Sequence, residues 1–211
     1  KLRTAQRVAA RDPFFAGNVD ALIAAQPKDL EASEIEVRLG ATWLDKKYIE
    51  QFMYETFETP RYLRGQIEIS YVPYTAEWQV SRKSMVRYND VAAFTTYGTD
   101  RASAYRLLED ALNLRDIRIY DTIEDADGRE RRVLNAKETT LAAQKQQLIR
   151  DAFKDWIWKD PERRETLVRQ YNEEMNSTRP REYDGSHIVF SGMNPEITLR
   201  EHQKNAIAHV L

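Results

Sequence analysis

The chain contains no cysteine. That excludes disulfides, thiolate metal ligands and cysteine nucleophiles, and it fits a reducing compartment such as the cytoplasm. Glycine and proline are also scarce, at 7 each in 211 residues, which argues against long flexible linkers. No apolar run approaches the roughly 18–20 residues that span a bilayer, and no signal-peptide pattern opens the chain, so no membrane partner is expected. Neither sign of charge dominates: 32 Lys and Arg stand against 34 Asp and Glu, a net charge of -2. Dedicated nucleic-acid binders usually carry a basic excess, so any DNA contact has to come from a local patch. The sequence also lacks G-x-x-x-x-G-K-[ST], G-x-G-x-x-G, G-x-S-x-G and H-E-x-x-H, the spacings that mark phosphate loops, dinucleotide folds, nucleophile elbows and zinc helices. Of the three histidines His187, His202 and His209, the last two are two helical turns apart, too far for one metal ion. No metal site and no catalytic residue is expected.

What is present belongs to a folded protein. Hydrophobic residues make up 42% and charged residues 31%, which speaks against disorder, and the length allows one domain or two small ones with a real core. Asn18 is placed to cap a short helix running to Ala25 and closed by Pro27. Ile35, Val37 and Leu39 alternate like a short strand or extended segment that ends at Gly40. Asp45 caps a helix with Ile49, Phe52, Met53 and Phe57 on one face, with Leu44 and Ile49 as a hydrophobic staple and Pro60 as the stop. Ile67, Ile69 and Tyr71 alternate, as do Trp78 and Val80, which predicts a β-hairpin with a loop of about four residues.

A helix from Asp100 buries Ala104, Tyr105, Leu108, Ala111 and Leu112. Ile117, Ile119 and Tyr120, a turn at Asp127-Gly128 and then Arg132 to Leu134 predict a second hairpin. Asn135 with Glu138 makes a capping-box pattern for a helix to about Lys159, with a stripe of Leu141, Leu148, Ala152, Phe153, Trp156 and Ile157. Asp160-Pro161 opens the next helix with proline at its favoured first position; that helix buries Leu167, Val168, Tyr171 and Met175 and ends by Pro180. Ile188 to Phe190 reads as a strand, and Thr198 with Glu201 as the capping box of a last helix. Mixed helices with antiparallel β-hairpins, without βαβ alternation, place the chain in the α+β class.

Three basic groups could neutralise phosphates. Arg82, Lys83 and Arg87 follow the Trp78 strand, Arg129, Arg131 and Arg132 flank the second hairpin, and Arg163, Arg164 and Arg169 lie on the helix opened by Pro161. Glu124, Asp125, Asp127, Glu130, Glu162 and Glu165 dilute the last two, which leaves Arg82, Lys83 and Arg87 as the DNA-binding candidates. For each group the competing reading is a solvated, salt-bridged surface. Trp156 continues a buried stripe, whereas Trp158 lies off it and fits an exposed contact or a domain interface. Asp125 and Asp127 precede Gly128 at a turn, where aspartate is favoured for conformational reasons, so a self-contained enzyme built on such a pair is the least favoured reading.

The segment from Met193 to Ile207 stands apart, because Arg200 and Gln203 fall on the polar side of its helix and its amphipathic pattern does not require them. A glutamine amide can donate to and accept from an adenine edge together, which fits base selection for ATP. The L-R-E-H-Q run from Leu199 to Gln203 resembles the glutamine motif that precedes the phosphate loop of superfamily 2 helicases and Swi/Snf-type translocases. R-Q-Y-N-E-E-M-N at Arg169 to Asn176, Y-D-G-S-H at Tyr183 to His187 and G-M-N-P-E-I-T-L-R-E-H-Q-K-N-A-I from Gly192 are similar to stretches of the large helicase–methylase proteins of bacterial conjugative elements and phages. Asn18 to Trp43 resembles the same group's inter-domain segment, so the resemblance covers nearly the whole chain.

The resemblance implies a position between an adenine-specific DNA methylase region and a Swi/Snf-like helicase. Residues 1–180 would be an accessory α+β domain, and 181–211 the entry to a RecA-like motor lobe. It implies nucleotide contact by Arg200 and Gln203 in the intact protein, DNA and the adjacent methylase and helicase domains as partners, and ATP with magnesium for the motor. The chain itself is expected to hold no cofactor. A phosphate loop is expected shortly after Leu211, and both ends, Lys1 and Leu211, are expected to be cuts within a longer protein. The alternative function is a structural spacer or protein-interaction module that binds no DNA.

Overall fold

The computed structural model describes residues 2–86, 90–125, 128–176, 183–189, 191–194 and 196–210. In chain order these form α1 (Leu2–Ala9), a 3-10 turn (Pro13–Phe15), α2 (Ala16–Ala24), α3 (Lys46–Thr56), β1 (Ile69–Val72), β2 (Glu77–Val80) and a second 3-10 turn (Lys83–Met85). A π-helical turn (Ala92–Thr96), α4 (Ala104–Leu112), β3 (Tyr120–Glu124), β4 (Glu130–Leu134), α5 (Ala136–Lys159), α6 (Pro161–Glu174) and α7 (Glu201–Val210) follow. Each strand pairs antiparallel with its neighbour, β1 with β2 and β3 with β4, so the class is α+β. The chain divides into two compact units, Leu30–Asn172 and a second made of Lys1–Asp29 with Glu173–Leu211. The boundary expected near 180 lies outside the described residues.

Among the described residues the buried apolar core, from Ile35 to Leu167, belongs to the Leu30–Asn172 unit. Asp45 caps α3 through a 3.0 Å bond from the Lys47 N–H, and α3 buries Tyr48, Ile49, Phe52 and Met53. The Phe52 ring meets Phe57, Phe153 and Trp156 edge to face at 6.1, 5.1 and 5.7 Å between centroids, the geometry aromatic quadrupoles prefer. Ile35, Val37 and Leu39 are buried in alternation, yet no ladder forms there: the segment is extended rather than a strand. Gly40 ends it at φ +86°, where a Cβ would lie 2.2 Å from the Leu112 carbonyl oxygen, so only glycine fits.

The first hairpin has the expected loop, at 73–76, and pairs Ile69 with Val80 and Tyr71 with Trp78. A two-stranded sheet leaves both outer edges open, and here side chains close them. On the β1 side Glu50 accepts from the Ile69 N–H at 2.9 Å. On the β2 side Asn113 accepts from the Trp78 N–H and donates to its carbonyl, both at 2.8 Å, while Glu109 accepts from the Val80 N–H at 2.7 Å.

α4 begins at Ala104 rather than Asp100, because residues 99–102 form a tight bridge between Thr99 and Ala102. α5 starts behind Asn135 as expected, with the Glu138 N–H donating to the Asn135 side chain at 3.0 Å. The capping box is not reciprocal, however, because the Asn135 N–H donates to the Ile119 carbonyl at 2.9 Å. The buried stripe of α5 is Ala142, Gln146, Ile149, Phe153 and Ile157. Leu141 and Leu148, expected inside, are 40% and 43% exposed. Gln146 takes their place because its amide donates to the Arg115 carbonyl at 2.9 Å, which removes the cost of burying it. Trp156 is half-buried rather than core, with its Nε1–H on Glu55 at 2.7 Å. On α6, Leu167 is buried and Val168 and Tyr171 are half-buried, while Met175, one residue past its end, is 52% exposed. Pro180 lies outside the described residues, as does Asp127 of the second hairpin's turn.

In the second unit only Gly185 is buried among the described residues. The sequence gives no warning of α1. α2 begins at Ala16, so Asn18 sits inside it and does not cap it. Ile188 and Val189 form no strand, and Phe190 lies outside the described residues. α7 begins at Glu201, and its first turn is closed by the Gln203 side chain, which accepts from the Arg200 N–H at 2.9 Å. That pair replaces the expected Thr198 and Glu201.

Candidate nucleic-acid and nucleotide contacts

Arg82 sits just past the end of β2 in the left-handed backbone region, at φ 48°, and turns the chain into the 3-10 turn that carries Lys83. Lys83 does not present a free ammonium, because its Nζ is ion-paired with Glu109. Glu109 is itself fixed, through its other carboxylate oxygen, to the Val80 N–H. The neighbouring Asp110 has its carboxyl raised above the usual range, first by burial and against the pull of Arg106. The surroundings of Lys83 are therefore as acidic as they are basic. Arg87 lies outside the described residues, so of the three DNA-binding candidates the described structure places Arg82 on the exposed surface and Lys83 in a half-buried ion pair.

The other basic groups separate in the same way. Arg163 is only 9% exposed. Its guanidinium stacks 3.6 Å from the Trp156 ring centre and donates to the carbonyls of Ile157 and Trp156, and burial lowers its pKa. It is a structural arginine that joins α5 to α6. On the β3–β4 ribbon, Arg132 lies over the Tyr120 ring at 4.8 Å, and Arg131 is exposed opposite Ile123. Trp158 is half-buried against the core. Among the described residues, no group of three or more His, Asp or Glu could hold a metal ion, and no helix is long and apolar enough to cross a membrane.

Arg200 and Gln203 open α7 together, with the Gln203 carbonyl oxygen occupied by the Arg200 N–H. The amide that would read an adenine edge thus already serves as a cap, and releasing it would leave one backbone donor of the first turn unmatched. The same unit brings two separated stretches together. The Gly185 N–H donates to Asn205 at 2.9 Å, and the Tyr183 ring lies 4.4 Å from that of His209. A Cβ at Gly185 would meet the Lys204 carbonyl oxygen at 2.0 Å, so the Y-D-G-S-H stretch docks on α7 only through glycine.

A second meeting closes the larger unit. Asn172 accepts from the Leu30 N–H at 2.8 Å and donates to the Leu30 carbonyl at 2.9 Å. Tyr171 packs edge to face on Trp43 at 5.2 Å, and Gln170 donates to the Trp43 carbonyl at 3.1 Å. Entry and exit of the Leu30–Asn172 unit are thereby held side by side. Neither Asn172 nor Glu109 was singled out from the sequence. Polar residues on amphipathic helices read as solvated, and only the backbone groups they meet give them a role.

These features define a compact α+β unit with a closed entrance, flanked on both sides by the chain that forms the second unit. The profile of the family described as Domain of unknown function (DUF8437) matches residues 38–177, and the chain belongs to that family. No curated protein and no solved structure matches it.

Proposed function

We propose that the chain is a non-catalytic accessory module of an ATP-driven DNA-processing protein, carried between a DNA methylase and a Swi/Snf-type helicase. Its task is to engage DNA or to couple the two enzymes. The observation that carries this reading is the Asn172–Leu30 closure: a unit whose ends are adjacent can be inserted into a larger chain without disturbing it. The meeting of Leu30 and Trp43 with Asn172 and Gln170, and of Gly185 with Asn205 of α7, supports it further, since these residues lie in the stretches that carry the resemblance. On this reading α7 begins a RecA-like motor lobe, Arg200 and Gln203 stand near its nucleotide, and the protein works in the cytoplasm. The residues present do not by themselves fit ATP and magnesium, because the sequence has no phosphate loop. No chemical step is assigned to them.

The test is fluorescence anisotropy of the chain with single- and double-stranded DNA at about 50 and about 200 mM salt. Binding that weakens steeply with salt, and that drops when Arg82, Lys83 and Arg87 are neutralised together, is expected. One observation favours a second reading, a spacer or protein-interaction module without DNA binding: Lys83 is already neutralised by Glu109. Absence of binding to either probe at low salt would select it.

A further inference from the structure

The two helices at the start of the chain bury no residue, although they carry Leu2, Ala5, Val8, Val19, Ala21, Leu22 and Ile23. Helices of this length are marginal alone and draw their stability from packing. Between them runs a groove of about 720 Å³, lined by Thr4, Ala5 and Val8 of α1 and by Phe15, Asn18, Ala21 and Leu22 of the turn and α2. Val8 and Phe15 are 41% and 37% exposed.

The charge that α1 itself brings beside this groove is basic. Arg3, Arg7 and Arg11 follow one another at four-residue spacing along α1 and its continuation, and α1 contains no acidic residue. By the helical period this stripe flanks Thr4 and Val8. The single acid of α2, Asp20, falls on the side opposite Asn18 and Leu22 by the same period. Asp12 is tied up as the cap of the 3-10 turn, 3.0 Å from the Phe14 N–H. Arg3 reaches Glu173 at 3.4 Å with its side chain 82% exposed, so that pair is weak.

We propose that the α1–α2 groove docks an amphipathic helix from another protein, one that places an apolar stripe on the groove floor and acidic side chains against the arginines. The floor is mostly aliphatic, with Ala5, Val8, Ala21 and Leu22 beside the one ring of Phe15, which suits an apolar helix face better than the succession of stacked bases that single-stranded nucleic acid would bring. A second copy of the chain would bring an identical arginine stripe to the same rim, and like charges would oppose it. A helix laid into an apolar groove with complementary flanking charge is an established mode of recognition. The proposal is independent of DNA engagement by the Leu30–Asn172 unit.

The test uses the full chain and two fluorescein-labelled peptides of about 18 residues, five helical turns. Both carry leucine at helical spacing, one with glutamate and one with lysine along one flank. Anisotropy should show the glutamate peptide binding tighter, with its Kd raised at least about tenfold by Leu22→Asp. The double variant Arg7→Glu/Arg11→Glu, at exposed positions that keep the test valid should Leu22→Asp unfold, should reverse the preference towards the lysine peptide. Equal binding of both peptides, or binding of neither, would overturn the proposal. So would sedimentation showing a dimer of the chain that Leu22→Asp abolishes, because the occupant would then be a second copy.

Discussion

At the scale of single residues, the polar groups of the core are placed by specific partners. Tyr105 is fully buried, with its hydroxyl 2.7 Å from that of Thr59. Burial pushes its pKa from the ordinary 10.0 up to about 12, partly offset by the bond to Thr59. The sign follows from linkage: the folded state holds this proton more tightly than the unfolded state, which releases it near 10. Stability from Tyr105 is therefore complete below pH 10 and is lost as pH rises towards about 12. The full loss is on the order of 3 kcal/mol. Tyr105→Phe should cost about 1 kcal/mol at neutral pH, from the bond to Thr59, and should remove this part of the alkaline loss. Urea unfolding of both proteins near neutral pH and near pH 11 measures it. An identical alkaline decline in the two would show that Tyr105 is not the group responsible. Arg163 teaches the same lesson about legibility. In sequence it stands in an R-R pair among glutamates and reads as surface, and only the Trp156 ring beneath it and the two carbonyls it meets explain its burial.

At the scale of elements, signals carried by backbone geometry were legible, and those carried by side-chain partners were not. Asp45 and Asn135 cap the helices they were expected to cap, and the Ile69–Val80 hairpin has its predicted loop. The α5 stripe was right at Phe153 and Ile157 but misplaced in the first half of the helix, because Leu141 and Leu148 outweigh Ala142 and Gln146 in hydrophobicity, while the true period there runs through the small and the hydrogen-bonded residues. The edge of β2 shows what such hidden partners do. Glu109 and Asn113 stand in for a third strand, supplying Trp78 and Val80 with the bonds that a neighbouring backbone would give. Asn113→Ala should cost about 1–3 kcal/mol, because it strands two backbone groups at once. It should also speed amide exchange at Trp78, leaving that of Tyr48 in α3 tied to global unfolding. Uniform acceleration across the unit, or none at Trp78, would contradict a local role for Asn113. The candidate site was less legible still: Arg200 and Gln203 were found as a pair, but their engagement as a helix cap follows from the Arg200 N–H, which sequence pattern does not display.

At the scale of the whole molecule, the distribution of burial sets what each part can do. Among the described residues, every buried apolar side chain lies between Ile35 and Leu167, within the unit bounded by Leu30 and Asn172. That unit therefore holds the fully buried apolar side chains of the described residues, the main source of a cooperative fold's stability, and the family match at 38–177 covers nearly the same residues. Residues 30–172 produced alone should fold, with one cooperative calorimetric transition close in temperature to the main transition of the full chain. Because Asn172 holds both backbone groups of Leu30, Asn172→Ala should open the entrance at a cost of about 1–2 kcal/mol. It should also create a protease-sensitive site near Leu30 while leaving the core transition cooperative. The isolated unit is the sharper arm, since an inserted module must fold without its host. If 30–172 proves unfolded while the full chain melts as a single transition, the Leu30–Asn172 unit depends on the flanking chain, and both its modular character and its proposed place as an insert between two enzymes fall together.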